Sequence, residues 1–108
     1  MDAALDALSQ RVGAFLAARG WRLVTAESCT GGYLAHRLTN VPGASAVFWG
    51  GWLTYDNAAK ETLLGVPAEV LHEHGAVSEA CARAMAEGAL ARSGAVHALA
   101  VTGIAGPA

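Results

Sequence analysis

The chain has 108 residues, a mass of 11.0 kDa and a net charge of −2 from 7 basic and 9 acidic side chains. That is one small domain. It carries no basic block to hold a nucleic acid, and at 15% charged and 54% hydrophobic residues it is not a disordered chain. Alanine, at 25 of the 108 residues, inflates the apolar fraction without filling much volume, so close helix packing around a modest core is expected.

In chain order, Leu5, Leu8, Val12, Phe15 and Leu16 repeat at helical spacing, which predicts a helix over 3–19 stopped by Gly20. Arg22 to Ala26 is a short apolar run suited to a strand. Glu27-Ser28-Cys29-Thr30-Gly31-Gly32 leads into a second helix from Thr30 to Leu38, and Val41-Pro42-Gly43-Ala44-Ser45 is a turn. Val47 to Tyr55, rich in aromatic and branched residues, is the second strand. Asp56 or Asn57 can cap a helix that runs to Leu64 and is ended by Gly65 and Pro67. A short helix or turn follows over 68–73, then a helix from Ser78 to Ser93, then a third strand from Ala98 to Thr102. Alternation of this kind predicts an α/β layered fold. The 18 uncharged residues from Leu38 to Tyr55 contain Pro42, Gly43 and the Gly50-Gly51 pair, so they are not read as a membrane span. Asp2 and Asp6 stand where a secretory signal would be basic, and Cys29 and Cys81 are too few for a disulfide scaffold. A cytoplasmic chain with free thiols is expected.

Sites in open α/β sheets form beyond the C-terminal ends of strands. Here those ends are Glu27 to Gly32, Thr54 to Lys60 and Thr102 to Pro107, and parallel neighbouring strands would bring the three loops together. In the first, Ser28 lies before a helix, and the N–H groups of Thr30, Gly31 and Gly32 are candidates to meet an anion or a developing oxyanion; an ordinary turn with Ser28 or Thr30 as the helix cap is the alternative. The second loop holds Lys60, the only lysine. In a first helical turn the dipole disfavours a cation, which favours a neutral lysine able to act as a base toward a serine hydroxyl. Tyr55 is placed to donate or relay a proton. The alternative is a solvated Lys60 beside Glu61. His72 and His74 lack the partners of a metal site, and His36 and His97 read as structural. Cys29 lacks a nearby histidine in sequence, so packing is its expected role. Trp49 and Trp52, on either side of Gly50-Gly51, are expected in the core or an oligomer interface.

The run Thr25-Ala26-Glu27-Ser28-Cys29-Thr30-Gly31-Gly32 resembles the hallmark of the CinA (competence/damage-inducible protein) C-terminal domain family. Further matching segments follow in the same order: Val41 to Ser45, Gly50-Gly51, Tyr55-Asp56-Asn57-Ala58-Ala59-Lys60, Leu64-Gly65-Val66, His74 to Ser78, and Ala100 to Pro107. The resemblance implies a three-layer α/β/α sandwich with a mixed five-stranded sheet. It also implies an amidohydrolase that deamidates nicotinamide mononucleotide in pyridine-nucleotide salvage, without metal or organic cofactor. Ser28 would be the nucleophile, Lys60 its base and Tyr55 an assistant. Thr30, Gly31, Gly32, Asn57, Thr102 and Gly103 would serve the substrate. No nucleic-acid or membrane partner is implied, and a homo-oligomer is expected. The family pattern continues past Gly106-Pro107 with two more strands, a substrate-site arginine and a final helix. The chain is therefore expected to be C-terminally truncated and weak or inactive, and the alternative function is a nucleotide-binding or oligomerisation module.

Overall fold

The computed structural model describes residues 2–104. Ala105 to Ala108, which include the Gly106-Pro107 part of the third predicted loop, lie outside the described residues.

Helix α1 (Ala3–Arg19) starts where Asp2 accepts a hydrogen bond from the Leu5 N–H at 3.1 Å, and it ends at Gly20. Strand β1 (Leu23–Glu27) is buried along its whole length. Helix α2 (Tyr33–Thr39) and a 3-10 turn (Ala44–Ala46) lead to β2 (Phe48–Leu53). Three helices follow, α3 (Asn57–Leu64), α4 (Ala68–His74) and α5 (Glu79–Ala91), and then β3 (His97–Val101). Every predicted element is present, with boundaries moved by a few residues. The second helix starts three residues later than expected because Gly31 and Gly32 take φ of 61° and 96°, a left-handed turn that only ends at Gly32.

The sheet order is β2-β1-β3, and both pairs are parallel. Among the described residues the sheet thus consists of the three strands read from the sequence, all running one way. β1 is central, so side chains on both of its faces are covered. Val24 and Ala26 face a core with Leu64, Val66, Cys81, Met85 and Ala89, supplied by α3, its exit and α5. Leu23 faces the other way, toward Leu16 of α1 and Val47, with Val12, Trp21 and Leu38 beside them. The result is three layers: α1 and α2 on one face, α3 to α5 on the other.

Gly88 permits the tightest contact in the second helical layer. A Cβ there would lie 2.0 Å from the Leu64 carbonyl oxygen, so α3 rests directly on the backbone of α5. On the opposite layer the predicted apolar stripe of α1 is only partly covered. Leu16 is buried, whereas Leu8 and Phe15 are exposed and Arg19 stacks on the Phe15 ring at 3.5 Å. His97 packs edge-on against Trp21 at 5.0 Å, a structural use as expected.

β2 contains one irregularity. Leu23 pairs with Phe48 but Val24 pairs with Gly50, which leaves Trp49 as a bulge residue. The bulge lets Trp49 and Trp52 stack at 5.6 Å. Trp52 packs against the core, while Trp49 is exposed.

Candidate active site

Because the strands are parallel and in register, Glu27 pairs with both Leu53 and Val101, and the residues that follow leave the sheet together. The loops are stitched at that edge. Ser28 N–H donates to the Val101 carbonyl at 3.0 Å, and Thr54 N–H donates to the Glu27 carbonyl at 2.8 Å. A crevice of about 220 Å³ opens there, lined by residues of all three loops including Ser28, Lys60 and Thr102. A larger hollow, about 600 Å³ between α1 and Val41 to Val47, has no titratable lining residue, whereas the smaller crevice collects Ser28, Tyr55 and Lys60 at the strand ends.

Lys60 is not solvated. It is 1% exposed, and Ser28 is 6% exposed. Asp56 caps α3 by accepting from the Ala58 N–H, which puts Lys60 at the fourth helical position. Helical side chains lean toward the N-terminus, so the butyl chain runs back to the end of β2. There Nζ donates to the Thr54 carbonyl at 2.8 Å and to the Tyr55 carbonyl at 3.0 Å, and it lies 3.0 Å from Ser28 Oγ. Two carbonyls thus fix two of its N–H bonds, and the third tetrahedral direction points at the serine. In a neutral amine that direction would be a lone pair facing Ser28 Oγ, whose hydroxyl otherwise donates to the Tyr55 carbonyl at 3.5 Å. No carboxylate pairs with Lys60 among the described residues. Cys81 lies at the base of the same region. Burial pushes its thiol above the ordinary value, and the nearby Lys60 charge pulls it partly back.

Tyr55 enters the site through its backbone. Its side chain is 69% exposed, and among the described residues its hydroxyl makes no hydrogen bond to Ser28 or Lys60. In this geometry Tyr55 lines the crevice and supplies the carbonyl that positions the amine. Asn57, Thr102 and Gly103 line the crevice, as do Ala76 and Ile104. Thr102 donates its hydroxyl to the Ala76 carbonyl at 2.8 Å, which ties the β3 loop to the α4–α5 connection and leaves the oxygen with acceptor capacity.

Thr30, Gly31 and Gly32 do not line the crevice. Gly31 N–H is engaged by the Ser28 carbonyl at 3.1 Å, and Thr30 Oγ1 donates to Glu27 at 2.8 Å. The start of α2, expected to be free for an anion, already holds one. The Glu27 carboxylate accepts from the Leu34 N–H at 2.8 Å and the Ala35 N–H at 2.9 Å. Neither Ser28 nor Thr30 caps this helix; Gly32 does, without a side-chain bond. Of the three N–H groups expected to meet an anion, that of Gly31 is therefore engaged within the turn itself. Sequence reasoning missed Glu27 and Ala76. The one available signal for Glu27 was an acidic residue at the end of an apolar strand, just before a helix start with no Asp or Glu in its first turn.

The architecture and site define an α/β domain with a buried serine–lysine pair at the C-terminal edge of a parallel sheet. The CinA C-terminal domain family matches residues 5–108, and the chain belongs to that family. It is 58% identical over 100 residues to a CinA-like protein of Akkermansia muciniphila, covering 93% of this chain and 24% of the relative. It is 60% identical over 102 residues to a CinA-like protein of Anaeromyxobacter sp. (strain K), covering 94% and 25%. Among solved structures, the competence/damage-inducible protein CihA of Agrobacterium tumefaciens superposes with a TM-score of 0.97 at 47% identity, covering 100% of this chain and 66% of that one. The competence damage-inducible protein A of Klebsiella pneumoniae gives 0.94 at 48%, covering 96% and 65%. The chain thus spans about a quarter of the length of these curated relatives and just under two-thirds of these solved chains.

Proposed function

We propose that the Ser28–Lys60 pair is the centre of an amidohydrolase that converts nicotinamide mononucleotide to nicotinate mononucleotide and ammonia. The observation that carries the reading is the aim of Lys60 Nζ: two carbonyls hold it, and its remaining direction meets Ser28 Oγ at 3.0 Å. Neutral Lys60 takes the Ser28 proton as Oγ attacks the carboxamide carbon. The ammonium then returns that proton to the departing nitrogen, so ammonia leaves and an acyl-serine remains. A water gives its proton to Lys60, its oxygen attacks the acyl carbon, and the proton passes to Ser28 Oγ as the carboxylic acid is released. Asn57, Thr102 and Gly103 are placed to orient the substrate, with Tyr55 as a wall of the crevice.

The same proposal includes a cytoplasmic location, consistent with the free thiols of Cys29 and Cys81. It also includes self-association, consistent with the exposed Val96 and Leu99 on and beside β3. No helix among the described residues is long and apolar enough to cross a membrane.

The test is ammonia and nicotinate mononucleotide release from nicotinamide mononucleotide by the wild-type chain, Ser28→Ala and Lys60→Ala. Each variant is expected to lose about a hundredfold to ten-thousandfold in kcat. Retention of the wild-type rate by either variant removes the pair from the reaction. Binding of the nucleotide without turnover by the wild-type chain supports the binding-module alternative.

A further inference from the structure

Glu27 is 2% exposed, ionisable, and used by no step of the proposed reaction. It precedes Ser28 directly. Its two carboxylate oxygens receive three hydrogen bonds, all from the segment that follows Ser28: Thr30 Oγ1 at 2.8 Å, Leu34 N–H at 2.8 Å and Ala35 N–H at 2.9 Å. The backbone of Glu27 is fixed independently, since it pairs with Leu53 and Val101 on both neighbouring strands. The turn carrying Ser28 is therefore held at its entry by the sheet and at its exit by the Glu27 side chain. A carboxylate suits the exit because α2 presents unpaired N–H groups and the positive end of its dipole. Gly31 and Gly32, both left-handed, give this turn little stiffness of its own.

We propose that Glu27 is the positioning residue of the Ser28 turn: its clamp on Thr30, Leu34 and Ala35 holds Ser28 Oγ in line with Lys60 Nζ. The inference rests on the Ser28–Lys60 reading. Glu27 touches neither the substrate crevice nor Lys60 among the described contacts. Its loss therefore acts on the alignment of the nucleophile, and not on the loops that hold the substrate.

The experiment follows covalent labelling of Ser28 by an alkyl fluorophosphonate, read by intact mass. Ser28 Oγ forms a bond to phosphorus, fluoride leaves with the electrons of the P–F bond, and the serine proton goes to Lys60. Wild type, Lys60→Ala, Glu27→Gln and Thr30→Val are compared over a range of probe concentrations, which separates kinact from KI. Glu27→Gln keeps the shape but turns an N–H₂ toward a backbone donor. Its kinact is expected to fall about ten- to a hundredfold, because misplacement of about 1 Å costs that much, with KI unchanged. Thr30→Val, which removes one of the three bonds, is expected to fall less. A purely structural role would lower the fraction of chains that label and leave the rate of the labelling fraction unchanged.

Wild-type kinact in Glu27→Gln overturns the proposal. If that variant does not fold, Thr30→Val decides, and an unchanged kinact there overturns it equally. Equal labelling of wild type and Lys60→Ala is a different failure: it removes the Ser28–Lys60 reading on which the inference stands.

Discussion

Helices α2 and α3 both follow a strand of the same parallel sheet, and both have a buried ionisable side chain at their N-terminal ends, one acidic and one basic. At α2 the charge is Glu27, placed where the dipole welcomes it, with each of its hydrogen bonds made to its own chain. At α3 the charge-bearing group is Lys60, placed where the dipole opposes a cation, with two bonds closed by carbonyls and its third contact open to a reactive hydroxyl. The difference separates an anchor from a reagent. A saturated, dipole-matched group stabilises the fold. A group in an unfavourable place, with one direction left for a nucleophile, is where chemistry is expected.

The comparison breaks if the two groups behave alike. Glu27→Leu removes the acceptor from two backbone N–H groups and a hydroxyl, and it is expected to cost at least about 3 kcal/mol. Lys60→Met deprives the Thr54 and Tyr55 carbonyls of a donor but removes a desolvated amine and retains similar bulk. It is expected to cost about 1–2 kcal/mol. Urea unfolding of the two variants beside wild type measures both. Equal losses, or a larger loss for Lys60→Met, would make Lys60 the structural group.

Much of this was legible in the residues. The Lys60 position was readable because a single lysine four residues after a capping Asp56 is out of place in a first turn. The convergence of three loops followed from strand–helix alternation alone. The Glu27 clamp was not legible, because it depends on how far Gly31 and Gly32 delay the start of α2, and that backbone path has no periodic signal. Delaying the start moved Thr30 out of the helix and left Leu34 and Ala35, not Thr30 to Gly32, as the donors for an anion. Tyr55 was read as a phenol because sequence displays side chains. The contact it makes to Lys60 comes from the carbonyl that every residue carries.

The lysine side can be sharpened without touching its hydrogen bonds. Gly88→Ala places a Cβ against the Leu64 carbonyl, backbone against backbone, so α3 and α5 must separate. Overpacking of this kind costs about 1–3 kcal/mol, which for a domain of this size lowers Tm by about 4–8 °C per kcal/mol. Since α3 carries Lys60 and not Ser28, the variant is also expected to slow fluorophosphonate labelling of the folded fraction. Wild-type Tm with slow labelling would mean that α3 shifts at no cost. A wild-type labelling rate with a lowered Tm would mean that Lys60 is held by the Thr54 and Tyr55 carbonyls alone.

The smallest effect lies beneath Lys60, at the buried Cys81. Burial raises the Cys81 thiol above its ordinary value of 9.0, and the Lys60 charge moderates that rise. As pH passes 9.0 the unfolded chain loses this proton before the folded one does. The folded state then binds more protons, so stability falls with rising pH, until the folded thiol also ionises. One proton gives a slope of at most about 1.4 kcal/mol per pH unit. Urea midpoints from pH 8 to 11 in wild type and Cys81→Ala should therefore diverge in slope only above the unfolded thiol value, with the steeper loss in wild type. Equal slopes in the two would mean that the Cys81 thiol does not hold its proton through burial in the folded chain.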